Sequence, residues 1–265
     1  MPHPHLIVEH SPAGYRWLRL ARPERRNALD VDLMAAVRDA IAADPEIPVV
    51  LGSADPQVFC AGADLSISDA ERSVISDLIY DCCETMITRP GPVISVITGA
   101  AVGGGAQLAA ASDLRIAGPA ARLRWIGPRG TRQDAPRGTR QGAPRRSTAP
   151  GPDLAVGAWL LPDLVGRGTA MELVLTGRWV EAAEALALGL VNRVTEDPER
   201  DAAQIAAELA TRPGPGGGAA AGVKAVMAAD GLLDRLRAER MVNRAAWARV
   251  TGVDPVGRGP DPDSR

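Results

Sequence analysis

The sequence is short of the residues most often used for nucleophilic or metal chemistry. Its three histidines, His3, His5 and His10, all fall within the first ten of 265 residues, where chain ends are often mobile. That position removes most Ser/His, Cys/His and zinc-histidine mechanisms. Cysteine is equally scarce: Cys60, Cys82 and Cys83 are odd in number, include an adjacent pair and provide neither a disulfide framework nor a metal-ligand spacing. A reducing cytoplasm is the expected compartment. Lys224 is the only lysine, so no Gly-Lys-Ser/Thr loop exists for nucleotide phosphate. No strong charge of one sign is present either. Thirty basic residues against 32 acidic give a net charge of -2, which argues against bulk attraction to nucleic acid or anionic membrane.

A long unbroken apolar run is missing as well. The longest uncharged stretch, Pro90 to Ser112, contains two prolines and five glycines, and its apolar portions are too short to cross about 30 Å of hydrocarbon. The N-terminal MPHPHLIVEH lacks the basic start, apolar middle and small-residue cleavage site of a secretory signal. What remains is ordinary globular composition, 46% hydrophobic and 23% charged, on a chain long enough to bury a substantial core. Glycine and proline are in excess, at 28 and 22 residues, and much of that excess is local.

Hydrophobic periodicity gives the organisation. HLIVEH and YRWLRLAR read as a hairpin joined by Ser-Pro-Ala-Gly. Asp30 is a helix N-cap before Leu33, Met34, Val37 and Ile41, and Asp44-Pro45 ends that pattern. PVVLGS and PVISVI are short buried strands, and Asp69 to Thr88 forms an amphipathic helix between them. This recurring strand, loop, helix order indicates an α/β fold. At Arg122 the pattern breaks. PRGTRQDA PRGTRQGA PRRSTA repeats every eight residues, and from Arg122 to Ser147 eight arginines stand against Asp134 alone; the stretch offers too little apolar surface to offset the entropy of ordering it. A solvated loop, a stretch arising from a shifted reading frame of GC-rich DNA, and a basic loop for RNA or CoA phosphates all fit. The absence of interleaved aromatics makes nucleic acid the poorer partner. Helical signal returns from Leu154, with helices near 219–229 and 231–250 and a disordered tail at 253–265 expected.

Two segments place small residues where a strand has just ended: FCAGADL (Phe59 to Leu65) and GAAVGGGAQLAAASDLRIA (Gly99 to Ala117). Small residues let a ligand approach the backbone, and amides at a helix N-terminus point outward with the positive end of the dipole. Two such amides meeting over one carbonyl oxygen would form an oxyanion hole; two tight turns are the plainer alternative. The triplet is not a dinucleotide fingerprint, since the Gly-x-Gly-x-x-Gly spacing fails at Leu108.

Together with RPERRNAL, SDLRIA, LVGRGTAMELVLTG and AAEALALGLVNRV, these segments resemble the enoyl-CoA hydratase/isomerase family, the crotonase superfamily, over about two thirds of the chain. The resemblance implies a crotonase-like ββα spiral core over 1–195, interrupted by the Arg-rich insert at about 122–150, and a C-terminal helical region over 196–252. It implies an acyl-CoA thioester as ligand, a homotrimer or dimer of trimers, no metal, and no cofactor beyond the coenzyme A of the substrate. By motif match, the N–H groups of Ala63 and Gly104 form the oxyanion hole. Arg25 or Arg26 lies near the CoA phosphates or adenine, Asp64 and Leu65 near the adenine pocket, and Lys224 matches a lysine common in that region, with a CoA contact or ordinary surface charge as its two readings.

Chemistry is where the sequence departs. Relatives carry one glutamate two residues after the glycine triplet and a second about twenty positions later. Here those positions hold Gln107 and Gly127. Hydration needs groups to take and deliver protons, and a glutamine does neither, leaving it a substrate-orienting role or a packing one. Asp153 resembles the single acid/base of isomerase-like branches; a loop aspartate capping the next helix is its alternative. Asp81, Glu84 and Asp163 read as surface charge. The expectation is an isomerase-like acyl-CoA enzyme, with a catalytically silent acyl-CoA-binding or scaffolding homologue as the alternative.

Overall fold

The computed structural model describes residues 3–126, 157–211, 219–229 and 231–252. Two antiparallel strands, β1 (Leu6–His10) and β2 (Arg16–Leu20), open the chain with Leu6 opposite Leu20 and His10 opposite Arg16. This is the hairpin read from the sequence. A 3-10 turn at Pro23–Arg25 precedes α1 (Val31–Ala42), where Asp30 accepts from the Leu33 amide at 2.8 Å and satisfies one orphan donor of the first turn. Leu33, Met34, Val37 and Ile41 are the buried face.

Strands β3 (Val49–Ser53) and β4 (Val58–Cys60) lead to α2 (Asp69–Thr88), which Ser68 and Glu71 close with a reciprocal capping box. Strands β5 (Val93–Ile97) and β6 (Ala100–Val102), helix α3 (Gly104–Ala111), and strands β7 (Leu114–Ala117) and β8 (Arg122–Arg124) follow. After residue 157 come α4 (Leu161–Val165), α5 (Arg167–Thr176), β9 (Val180–Glu181), α6 (Ala182–Ala187), β10 (Arg193–Val194) and α7 (Pro198–Ala210). Helices α8 (Ala219–Ala228) and α9 (Leu232–Thr251) end the described chain.

The strands form a six-stranded sheet, β1-β2-β3-β5-β7-β10, and a four-stranded sheet, β4-β6-β8-β9. Strands β3 and β5 lie in the middle of the larger sheet with every residue buried, which is why both read as apolar-rich segments without alternation. Helix α7 covers one face of this sheet through Ala202 and Ala206 against Tyr15, Trp17, Val50, Ile94 and Ile116. The principal core fills the other side, where α1, α2 and α3 meet the smaller sheet.

The expected break at Arg122 falls later. Residues 122–124 are strand β8, paired with both β6 and β9, and Trp125 is fully buried. Three residues of alternating arginine and leucine are too short to register as a strand by pattern, and the neighbouring strands supply the order. The eight-residue repeats, Gly127 and Asp153 lie outside the described residues. Among the described residues, no helix is long and apolar enough to cross a membrane, and no group of His, Cys, Asp and Glu side chains could hold a metal ion.

Candidate active site

The two glycine-containing bends come together because β4 and β6 are parallel neighbours, with Cys60 opposite Ala101. Each strand ends on the same side of the small sheet, so Ala61-Gly62-Ala63 and Gly103-Gly104 emerge side by side. Gly62 has φ +86°, and a Cβ there would stand 2.8 Å from the Val102 carbonyl oxygen and 3.5 Å from the Gly104 nitrogen. Only glycine allows that approach. Gly105 is required for a different reason: a Cβ at that position would lie 2.6 Å from both the Cβ and carbonyl oxygen of Cys60, so α3 rests directly on β4.

The direction of the Ala63 amide follows from the pairing on its other side. Leu29 donates to the Gly62 carbonyl and accepts from the Asp64 amide, each at 2.8 Å. In an extended segment successive amides point to opposite edges, so the Ala63 N–H faces away from Leu29. Gly104 is the first residue of α3, where amides have no intrahelical acceptor. Gly103 turns the chain into this helix with φ +54°, while its own amide donates to the Arg124 carbonyl at 2.9 Å.

Asn27 fastens the first of these bends. It is fully buried with φ +53°, accepts from the Arg22 amide at 2.8 Å, and donates to Ser53 Oγ at 2.7 Å and the Phe59 carbonyl at 3.1 Å. Its own carbonyl accepts from the Cys60 thiol at 3.2 Å. Burial pushes that thiol up to about 12, so Cys60 is a neutral packing group and not a nucleophile.

Asp64 is buried and committed to structure. Its carboxylate accepts from the Ser66 amide at 2.9 Å and Ser66 Oγ at 2.6 Å and pairs with Arg22 at 3.2 Å. Burial opposes ionisation here, but the Ser66 hydrogen bonds and the charges of Arg22 and Arg25 outweigh it and hold the carboxyl below its usual value. Arg22 also pairs with Asp30 and donates to the Ala28 carbonyl, tying the 22–30 loop to the 61–66 loop. Arg25, Arg26 and Leu65 are exposed around this junction.

Gln107, on α3, has no exposed surface, and among the described residues neither its Oε1 nor its Nε2 has a hydrogen-bond partner. Trp125 Nε1 is likewise buried and unpartnered. Both surround Gly157, whose Cβ position would lie 3.5 Å from Gln107 Cγ and 3.7 Å from Trp125 Nε1.

Lys224 is not brought to this region. Its ammonium donates to the Met86 carbonyl and to Asp113, each at 2.8 Å, at the C-terminal end of α2, where a cation complements the helix dipole. Asp81 and Glu84 pair with Arg240 and Arg237, and Asp163 with Arg235. Residues that the sequence reading left without a role are Asn27, Arg22, Tyr80 and Glu239. Asn27 and Arg22 sit within the quoted RPERRNAL motif, and a buried asparagine at positive φ leaves no periodic trace. Tyr80 and Glu239 are joined by a hydrogen bond across 159 positions, which local pattern cannot register.

A family model described as Enoyl-CoA hydratase/isomerase matches residues 12–129. "Probable enoyl-CoA hydratase echA6" of Mycobacterium leprae (strain TN) is 34% identical over 190 residues, covering 68% of this chain and 68% of its own length. Human "Enoyl-CoA hydratase domain-containing protein 2, mitochondrial" is 34% identical over 199 residues, 72% of this chain and 62% of its own. Among solved structures, Pseudomonas aeruginosa PA4980 superposes with TM-score 0.68 at 32% identity, covering 89% of this chain and 97% of its own. A monofunctional enoyl CoA isomerase from M. smegmatis gives 0.62 at 26% identity, with 86% and 93% covered. The chain belongs to the enoyl-CoA hydratase/isomerase family, and its architecture is the crotonase fold.

Proposed function

We propose that this chain binds an acyl-CoA thioester and stabilises its enolate, catalysing a proton shift such as double-bond isomerisation in preference to hydration. The observation that carries the reading is the pairing of two small-residue bends, with Gly62 packed against the Gly104 nitrogen and the Ala63 amide turned away from Leu29. In this reading the amides of Ala63 and Gly104 donate to the thioester oxygen. As the α-proton leaves, charge moves from the Cα–H bond onto that oxygen, where two preorganised donors are worth more than in water. Coenzyme A is part of the substrate, and the reaction needs no further cofactor or metal.

Proton transfer is assigned to Asp153, one carboxylate being enough to remove a proton at one carbon and return it at another. Gln107 provides no proton acceptor, which disfavours water addition. Arg25 and Arg26 serve the phosphates of CoA, beside the pocket that Asp64 and Leu65 border. Assembly as a trimer or dimer of trimers and a cytoplasmic location complete the proposal.

The second reading, an acyl-CoA-binding subunit without chemistry, is favoured by the same Gln107. Incubation of the protein with butyryl-, octanoyl- and palmitoyl-CoA in D2O separates the two. Deuterium entering the α-position supports the enzyme; tight acyl-CoA binding without any exchange supports the silent subunit.

A further inference from the structure

Glu239 lies in the middle of α9, yet its carboxylate is spent on a distant part of the chain. Oε1 accepts from the Tyr80 hydroxyl at 2.9 Å and the Gly157 amide at 3.2 Å, and Oε2 accepts from the Trp159 amide at 2.7 Å. Tyr80 and Trp159 are buried. Burial and the neighbouring Glu239 carboxylate push the Tyr80 phenol far above its usual value, so the tyrosine stays a neutral donor. The two amides begin a turn in which the Gly157 carbonyl accepts from the Leu160 and Leu161 amides. Gly157 in turn stands beside Gln107 and Trp125, close enough that a methyl group on it would touch both.

This arrangement bears on Gln107 in particular. Among the described residues neither end of its amide has a hydrogen-bond partner, so the packing around it, the 157–161 turn included, bears on which way that group points. The helix that carries Glu239 is itself fastened to α2. Asp77 holds Arg240 at 2.7 and 2.6 Å and Arg244 at 2.5 and 2.8 Å, and Asn243 bonds Ser76.

We propose that Glu239 is a positioning residue: by gripping the amides of Gly157 and Trp159 it keeps their turn pressed on Gln107 and Trp125, and so sets the orientation of the Gln107 amide behind the first turn of α3. The proposal rests on the enolate reading for its effect on rate, while its effect on the turn is independent of that reading. E239Q preserves size but puts an NH2 in place of one of the two acceptor oxygens, leaving either the Gly157 or the Trp159 amide without its acceptor. Tyr80→Phe removes one donor and leaves the grip on the turn.

The test uses the full chain and three readouts: amide hydrogen exchange across 157–161, maximal α-proton exchange of the acyl-CoA series in D2O, and half-saturating acyl-CoA. In E239Q, amide protection of the turn and maximal exchange each fall by about tenfold or more, with half-saturation unchanged, as expected when a supporting group misplaces a substrate-orienting one. In Y80F the turn stays protected and the maximal rate stays near that of wild type. An E239Q protein with wild-type turn protection overturns the proposal. A loss of maximal rate no larger than the loss of folded protein seen by circular dichroism also overturns it, because general damage to the fold lowers the active fraction and leaves half-saturation unchanged. Should E239Q not fold, Glu239→Asp, which shortens the reach to both amides, takes its place, and wild-type turn protection in that variant overturns the proposal. If the wild-type protein exchanges no α-proton, the enolate reading falls, and turn protection in E239Q alone decides: lost protection supports the grip and retained protection overturns it.

Discussion

Gly62 and Gly104 stand so close that a methyl group on the first would lie 3.5 Å from the nitrogen of the second. The same methyl would lie 2.8 Å from the Val102 carbonyl oxygen, at a backbone φ of +86°. Gly62→Ala therefore has to move one bend away from the other. Positive φ alone costs roughly 1–2 kcal/mol for an alanine, and the backbone clash adds to it. Chemical denaturation of G62A is expected to show a loss of about 2 kcal/mol or more, with α-proton exchange nearly abolished in the fraction that stays folded. A folded G62A with the wild-type exchange rate contradicts the placement of the two amides.

Asn27 is expected to be among the costliest single polar positions. Its amide N–H groups serve Ser53 Oγ and the Phe59 carbonyl, and its oxygen serves the Arg22 amide. Asn27→Asp keeps the shape but removes the donors and buries a charge. We expect a loss of roughly 2–4 kcal/mol at neutral pH, greater than that of Asn27→Ser, measured by urea unfolding. Equal stability of the two variants counts against the hydrogen-bond account of this bend.

The junction of α2 and α9 has a worked pH dependence. Burial would raise the Asp77 carboxyl, but hydrogen bonds from Arg240 and Arg244 and their charges bring it down to about 2 from an ordinary 3.8. A carboxyl depressed in the folded state stabilises above its unfolded value, and that stabilisation is lost as pH falls through the folded one. The advantage of wild type over Asp77→Asn is expected to be about 1–2 kcal/mol at pH 7, allowing for solvent screening, and to shrink between about pH 4 and pH 2. Thermal melts of both proteins across that range check it; a gap that stays constant rules out this pair as the source.

Arg25 and Arg26 are exposed and free to meet a polyphosphate. Replacing both with alanine is expected to weaken CoA binding most at low ionic strength, with little change in melting temperature, since exposed charges contribute little to folding. Isothermal titration at low and high salt reads the difference. Unchanged affinity at both salt levels places the CoA phosphates elsewhere.

Local signals carried much of the fold. The hairpin, the Asp30 cap, the helix over Asp69–Thr88 and the buried runs at β3 and β5 all depend on residues within a few positions of one another, and each appeared in the sequence. Strand β8 did not, because three residues acquire their conformation from β6 and β9 and not from their own pattern. The two bends were legible as motifs, while the reason they touch, the parallel pairing of β4 with β6, was not. Lys224 matched a family position by sequence, yet its ammonium is occupied by Asp113 and the end of α2. Glu239 was invisible because its significance arises only when α9 folds back along α2.

The most direct measurement is the infrared stretch of a thioester carbonyl, isolated by carbon-13 labelling, in acyl-CoA bound to wild-type protein and to G62A. Two donors on that oxygen weaken the C=O bond, so the wild-type complex should show the band at lower frequency than in water, and G62A should return it toward the solution value. A bound thioester whose carbonyl band stays at its solution position in the wild-type protein contradicts the account.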